Sequence, residues 1–226
     1  VLEDREEHDL PPAVQRRWYP EYVDRLIPRE DYGSLVPFAG ARVFAPFPMA
    51  GDEDYAVPRF LYGLMTAEGK IVMDAVCTGI SRLTYPLEGG EYAALPVLKL
   101  EVGDAAHGSL TALAAGDGSW ATGFRYLGCA AGPSSILAGT EDGLVLIAPR
   151  TGEEVKSWTW AQLGIDSPNA IPWQGWDPYS AVQWTGDSFF LGCFGGDWDQ
   201  ACFLDPLTGA VTTAPAQDWY QELDRR

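Results

Sequence analysis

Histidine is nearly missing from this chain, with 2 among 226 residues. His8 stands in a charged stretch and His107 in the small-residue loop GDAAHGS, so neither has the setting of a catalytic base. Ser134 and Ser135 in GPSSI lack the G-x-S-x-G elbow that exposes a nucleophile. A P-loop, a G-x-G-x-x-G turn and an H-E-x-x-H helix are missing as well, so nucleotide and zinc-hydrolase chemistry have no motif to stand on. The sequence implies no cofactor.

Cysteine is scarce too. Cys77, Cys129, Cys193 and Cys202 include no C-x-x-C pair, which argues against a zinc site. Cys193 and Cys202 flank an expected turn, and either a disulfide between them or a set of buried free thiols fits that placement. Basic residues are few: 15 against 32 acidic ones, for a formal net charge of -17. Such a surface repels phosphate backbones and anionic lipid, so nucleic acid is not expected as a partner. Apolar runs of the ~18 residues that a membrane span requires are lacking, so the folded domain is not expected to insert. The start VLEDREEHD has neither Met nor a basic-then-apolar leader, which leaves open a signal peptide already removed.

What the chain has is apolar and aromatic. It is 46% hydrophobic, with 9 Trp, 10 Tyr and 9 Phe, the composition of a packed globular protein. Pro11 and Pro12 can open a helical turn, and Val23, Leu26 and Ile27 fall on one helical face before Pro28 and Gly33 break it. Residues 1–33 are therefore expected to form an arm with short helical turns, and residues 34–226 a second region. From about Val43 short apolar runs alternate with Gly, Asp, Pro and Thr clusters, the pattern of strands. Only Trp158 to Ile165 and Asp218 to Leu223 have the makings of a helical turn.

Four segments share a plan: LMTAEGKIVMD, LAAGDGSWATG, IAPRTGEEVKS and LDPLTGAVTTA. Each has an apolar start, a polar turn, a glycine (Gly69, Gly118, Gly152 or Gly209) and an extended run. Glycine takes the positive φ of a hairpin turn without a Cβ clash, and Asp117-Gly118 and Asp142-Gly143 are strong short hairpin signals. A lone hairpin has one face with nothing to pack on, so repetition is the expected remedy. The fold class expected is all-β: repeated hairpin units centred on those four glycines, propeller-like or a partial propeller. Four unrelated hairpins in an ordinary sandwich are the alternative.

The segment YGLMTAEGKIVMDAVCTGISRL resembles a WG repeat, through Tyr62, Gly63, Leu64, Gly69, Lys70, Ile71 and Val72. LTALAAGDGSWATGFRYLG is similar to a degenerate second copy, through Leu113, Asp117, Gly118, Trp120 and Tyr126. ILAGTEDGLVLIAPRTGEEVKSW resembles a blade motif of quinoprotein-type β-propellers, through Gly139, Asp142, Gly143, Thr151, Gly152 and Trp158, with FLDPLTGAV a shorter version. The resemblance covers about half the chain. It implies a repeat β architecture and a bacterial envelope setting, as a secreted or lipid-anchored chain. It implies no quinone, since the cofactor residues of those enzymes lie outside the blade motif.

The candidate binding residues are aromatic. IPWQGWDPYSAVQW gathers Trp173, Trp176 and Tyr179 about Asp177, and Trp198 stands in another Gly/Asp loop. An exposed ring can stack on a sugar face or a peptide side chain while the acid accepts hydroxyl or amide donors. The competing reading is that these rings plug gaps between units. The acidic stretches around Asp52, Glu53 and Asp54, and at Asp197 and Asp199, lack the spacing of a calcium loop and are expected to be solvated. The function these observations favour is non-catalytic: a binding or scaffold module for a protein or glycan. A carboxylate-pair hydrolase and an acidic inhibitor or immunity-type partner of a basic protein are the alternatives.

Overall fold

A computed structural model of the chain describes residues 33–46, 56–87, 89–104, 108–165, 171–173, 181–194 and 199–223. The expected helical arm, apart from Gly33, lies outside them. The chain is mostly β, in four small antiparallel sheets filled in chain order. The first holds β1 (Leu35–Pro46), β2 (Ala56–Thr66) and β3 (Ile71–Cys77). The second holds β4 (Gly79–Pro86), β5 (Tyr92–Asp104) and β6 (Gly108–Ala115). The third holds β7 (Gly128–Ala131), β8 (Ile136–Gly139), β9 (Gly143–Ile147) and β10 (Glu154–Thr159). The fourth holds β11 (Gln183–Trp184), β12 (Phe189–Phe194), β13 (Gln200–Leu204) and β14 (Val211–Pro215). Two helices complete the described chain, α1 (Trp160–Leu163) and α2 (Ala216–Leu223). Among the described residues the sheets close neither a barrel nor a propeller ring.

The central strands are apolar on both faces because both faces are covered. Along β8 and β9, Leu137, Leu144 and Leu146 face one core, while Ile136, Ala138, Val145 and Ile147 face another. The first of these cores is completed by Phe189, Leu191, Cys202 and Leu204 of the fourth sheet. The second is completed by Leu83, Leu95, Val97 and Leu113 of the second. The opposite face of that second sheet, with Ile80, Leu98, Leu100 and Ala112, packs on Leu35, Leu64 and Cys77 of the first. Successive sheets thus share their cores in chain order, which explains runs such as GLVLI and ILAG that do not alternate. Each fully buried Leu, Ile or Phe contributes about 1.5–3 kcal/mol to holding neighbours together. The outer face of the fourth sheet (Phe190, Cys193 and Ala201) is covered by Ala216 and Trp219 of α2.

All four repeat glycines have positive φ: 87° at Gly69, 74° at Gly118, 72° at Gly152 and 79° at Gly209. The turns fall into two kinds. Gly69 and Gly118 donate to the carbonyls three residues back, Thr66 and Ala115, at 2.9 Å each. Gly152 and Gly209 close longer loops by donating to Ala148 at 2.9 Å and Asp205 at 2.8 Å, four residues back. Those two loops share the pattern Pro-x-Thr-Gly, and each leads into the last strand of its sheet. Gly118 does the equivalent for the second sheet, where Ala121 and Tyr126 bridge back to Ala114 and Thr111 as an irregular fourth strand.

Neighbouring sheets meet at three of these turns. A Cβ on Gly118 would touch Leu35 at 3.2 Å, and one on Gly152 would lie 2.5 Å from the Trp120 ring. One on Gly209 would overlap the indole nitrogen of Trp158. In each case the side chain comes from the preceding sheet, or from the irregular strand that extends it.

Two local readings need refinement. The hairpin signalled by Asp142-Gly143 is present between β8 and β9, but Gly143 is not its positive-φ residue: Gly139 pairs with Leu144, the loop tip is Glu141-Asp142, and Gly143 already belongs to β9. Its missing side chain answers a different need, since a Cβ there would overlap the Trp158 carbonyl. The stretch from Trp158 begins as strand and turns helical only at Trp160, where Thr159 and Gln162 form a capping box. The tail is helical as expected, from Ala216.

Candidate functional site

Where the second sheet meets the third, a cleft of about 690 Å³ opens between elements distant in the sequence. One wall is apolar, with Leu110 of β6 and Phe124 and Leu127 of the segment that follows. The other comes from the third sheet: Thr140, Glu141 and Asp142 of the β8–β9 turn, Ser157, Trp158 and Thr159 of β10, and Gln162 of α1. Arg125 and Glu154 line it as well.

The irregular strand explains the apolar wall. Thr111 and Tyr126 are paired through two backbone hydrogen bonds, 2.7 and 3.1 Å, and Thr122 is tied to Leu113. Between these ties Phe124 and Arg125 reach the cleft, while Tyr126 is 0% exposed. The Tyr126 hydroxyl donates to Glu154 Oε1 at 3.0 Å and accepts from Arg125 Nη2 at 3.0 Å. Arg125 Nη2 also lies 2.8 Å from the same Glu154 oxygen, and its guanidinium sits 5.1 Å from the Tyr126 ring centroid. Burial pushes the Tyr126 phenol above its ordinary range, with Arg125 pulling it back and Glu154 adding to the rise. The three side chains bind the second sheet to the third with one positive and one negative charge.

Three further polar side chains of the lining, Thr140, Thr159 and Gln162, are engaged in the fold itself. Thr140 Oγ1 donates to the Gly143 carbonyl at 3.1 Å and accepts from the Gly143 amide at 3.2 Å. Thr159 and Gln162 cap each other, at 2.8 and 3.3 Å. The backbone of the acidic turn is pinned, because Glu141 accepts from Trp160 Nε1 at 2.7 Å and Asp142 from the Trp160 amide at 3.2 Å. Glu141 and Asp142 are themselves exposed at the rim. The result is a groove with hydrocarbon from both sheets, Phe124 and Leu127 on one side and Leu144 and Trp158 on the other, and with carboxylates at its rim.

Of the residues singled out in the sequence, Trp173 is described. It is half-buried and packs against the core between the third and fourth sheets. A Cβ on Gly128 or Gly139 would overlap its ring, so it occupies space that two paired glycines leave free. Its indole nitrogen is buried without a hydrogen-bond partner among the described residues. Trp176, Asp177, Tyr179 and Trp198 lie outside the described residues, as do His8, His107, Asp52, Glu53, Asp54 and Asp197. Asp199 is described and exposed, and its carbonyl accepts the Ala216 amide at 2.7 Å where α2 begins.

Cys193 and Cys202 are not joined; both are free and buried. Strand register is the reason. Cys193 pairs with Ala201, and Cys202 with Gly192, so the two thiols leave the sheet on opposite faces. Cys193 faces α2, 3.3 Å from the Tyr220 hydroxyl, and Cys202 faces the third sheet.

Three cleft residues, Asp142, Gly143 and Trp158, stood out in the sequence as parts of a blade-like motif, and Tyr126, which is buried and anchors the cleft's Glu154, as part of the second repeat copy. Arg125, Glu141 and Glu154 carried no local signal. Among the described residues, no group of three or more His, Cys, Asp or Glu is placed to hold a metal ion. No protein-family model matches the chain, and no curated protein matches it.

Proposed function

We propose that this chain is a non-catalytic binding or scaffold module of propeller-like build, and that its ligand, a protein or glycan, lies in the cleft between the second and third sheets. The observation that carries this reading is the state of the cleft's polar groups. Glu154, Thr140, Thr159 and Gln162 are already engaged in holding the walls in place. A groove so fixed suits recognition by shape and charge, because little ordering remains to be done on binding.

The propeller-like build is supported by the first strands of the last three sheets, β4, β7 and β11, which lie beside one another pairwise. The four turn glycines at matching places support it too, as do the WG-like and blade-like motifs around them. A bacterial envelope setting rests on those motifs alone.

Ser157 is exposed on the cleft wall, so Ser157→Trp fills the groove without touching a core. Labelled protein applied to peptide and glycan arrays should give ligands that Ser157→Trp no longer binds, with its urea midpoint unchanged. Blank arrays, or ligands held equally well by the filled variant, would overturn the proposal.

A further inference from the structure

We infer that the outer edge of β1 is paired with a strand formed by residues 22–28 of the same chain, independently of any ligand in the cleft. The turn glycines fix which strands correspond. Gly118, Gly152 and Gly209 each lie between the third and last strands of a sheet, the second sheet counting its irregular strand. Gly69 lies between β2 and β3. β3 is therefore the last strand of the first sheet, β2 the third and β1 the second, the counterpart of β5, β8 and β12. Each of those three has a first strand beside it, β4, β7 or β11, which precedes it in the chain across the short loops 87–91, 132–135 and 185–188. Among the described residues β1 has no such neighbour, and an open edge leaves a row of backbone donors and acceptors without partners.

The sequence before β1 identifies the occupant. Residues 23–38 read VDRLIPREDYGSLVPF, and residues 80–97 read ISRLTYPLEGGEYAALPV. Arg25-Leu26, Pro28, Tyr32 and Pro37 follow the order of Arg82-Leu83, Pro86, Tyr92 and Pro96, in a copy two residues shorter. The longer copy is β4, its loop and the start of β5. There Leu83 is buried in a core, and Arg82 Nε donates to the Leu95 carbonyl at 3.3 Å. β4 passes Pro96, which has no amide to give, through a register shift between Arg82 and Thr84. Val36-Pro37 of β1 repeats Leu95-Pro96, and the same shift beside Pro37 buries Leu26. Gly33, at a φ of 64°, supplies the turn into β1. The segment is thus extended, in place of the helical turn expected from Val23, Leu26 and Ile27.

The test uses the full chain, isotopically labelled for nuclear magnetic resonance. Cα and Cβ chemical shifts should place residues 22–28 in extended backbone. The β1 amides that face away from β2 should be protected from solvent exchange, and about tenfold or more less protected in Leu26→Asp. Leu26→Asp should also lower the urea midpoint by about 1 M or more, since it places a carboxylate in a core. Leu10→Asp, outside the repeated stretch, should leave the midpoint unchanged. If Leu26→Asp fails to fold, the shifts and exchange of the unaltered chain still decide. Helical shifts over residues 22–28, rapid exchange of those β1 amides, or an unchanged midpoint in Leu26→Asp would overturn the inference. Sedimentation should show the protected chain to be a monomer. Protection that appears only in a dimer would assign the edge to a second copy's strand and overturn the inference as well.

Discussion

If turn glycines are the places where one sheet leans on the next, alanine should cost different amounts at turns with the same backbone conformation. Gly69 and Gly209 make the comparison. Their φ values are 87° and 79°, so an L side chain meets much the same backbone strain at each, about 1–2 kcal/mol. Their surroundings differ. A Cβ on Gly69 has no heavy atom within 4 Å among the described residues, while one on Gly209 overlaps the Trp158 indole. The indole is wedged between sheets and held by Lys156, whose ammonium lies 5.2 Å from its ring centroid and donates to the Leu207 carbonyl at 2.6 Å. Displacing it adds an overpacking cost of about 1–3 kcal/mol. Gly69→Ala should therefore lose about 1–2 kcal/mol, and Gly209→Ala about 2–5 kcal/mol. At this chain length each kcal/mol lowers the melting temperature by about 2–4 °C. Urea unfolding followed by tryptophan fluorescence and by far-ultraviolet circular dichroism measures both, coincident transitions licensing the free energies. A cycle through Trp158→Ala isolates the contact: in that background the Gly209→Ala cost should fall to the Gly69 value. Equal costs at the two glycines, or no coupling to Trp158, would refute the view that these turns are joints.

Trp173→Ala should cost about 3–5 kcal/mol, since the ring fills space over Gly128 and Gly139; a urea midpoint left unchanged would mark it as a ligand-stacking surface ring instead. Burial pushes the Cys77 thiol from 9.0 up to about 12. A folded-state value above the unfolded one gives stability that is complete below pH 9 and is lost as pH rises toward 12. The slope for one such thiol is at most about 1.4 kcal/mol per pH unit. Urea midpoints between pH 8 and 10.5 should thus fall less steeply for Cys77→Ala than for the unaltered chain, and parallel slopes would contradict the assignment.

Local chemistry was legible in the sequence where one residue determines one conformation. Gly69, Gly118, Gly152 and Gly209 stand in turns because only glycine takes their φ cheaply. Asp142-Gly143 did mark the β8–β9 hairpin, but glycine has two uses: Gly143 admits a carbonyl from β10 and does not itself take a positive φ. The aromatic run was ambiguous for a similar reason, since Trp173 is as well suited to filling a gap between sheets as to stacking on a ligand. Cys193 and Cys202 illustrate register: a shift of one residue between paired strands turns two neighbouring thiols to opposite faces. The cleft was not legible at all. Its walls join Leu110, Phe124, Glu141, Glu154 and Gln162, which come together only when two sheets pack.

The cleft lies where the strand pairing is least regular, and the physical connection is direct. The third and fourth sheets each end in a last strand, β10 or β14, paired along its length with its neighbour. The second sheet ends in a segment paired at Ala121 and Tyr126 alone, as two isolated bridges. The backbone between them is released from the ladder, so Phe124 and Arg125 reach the junction. Tyr126 is held to Thr111 by its backbone, and its hydroxyl is anchored by Glu154 of the next sheet, with Arg125 balancing the charge. One imperfect strand thus supplies an apolar wall, an exposed cation and a buried hydroxyl at one joint. A complete fourth strand there would stabilise the joint further while withdrawing those groups from solvent. That exchange of local regularity for an accessible, prearranged surface is what the recognition role proposed for the cleft would require.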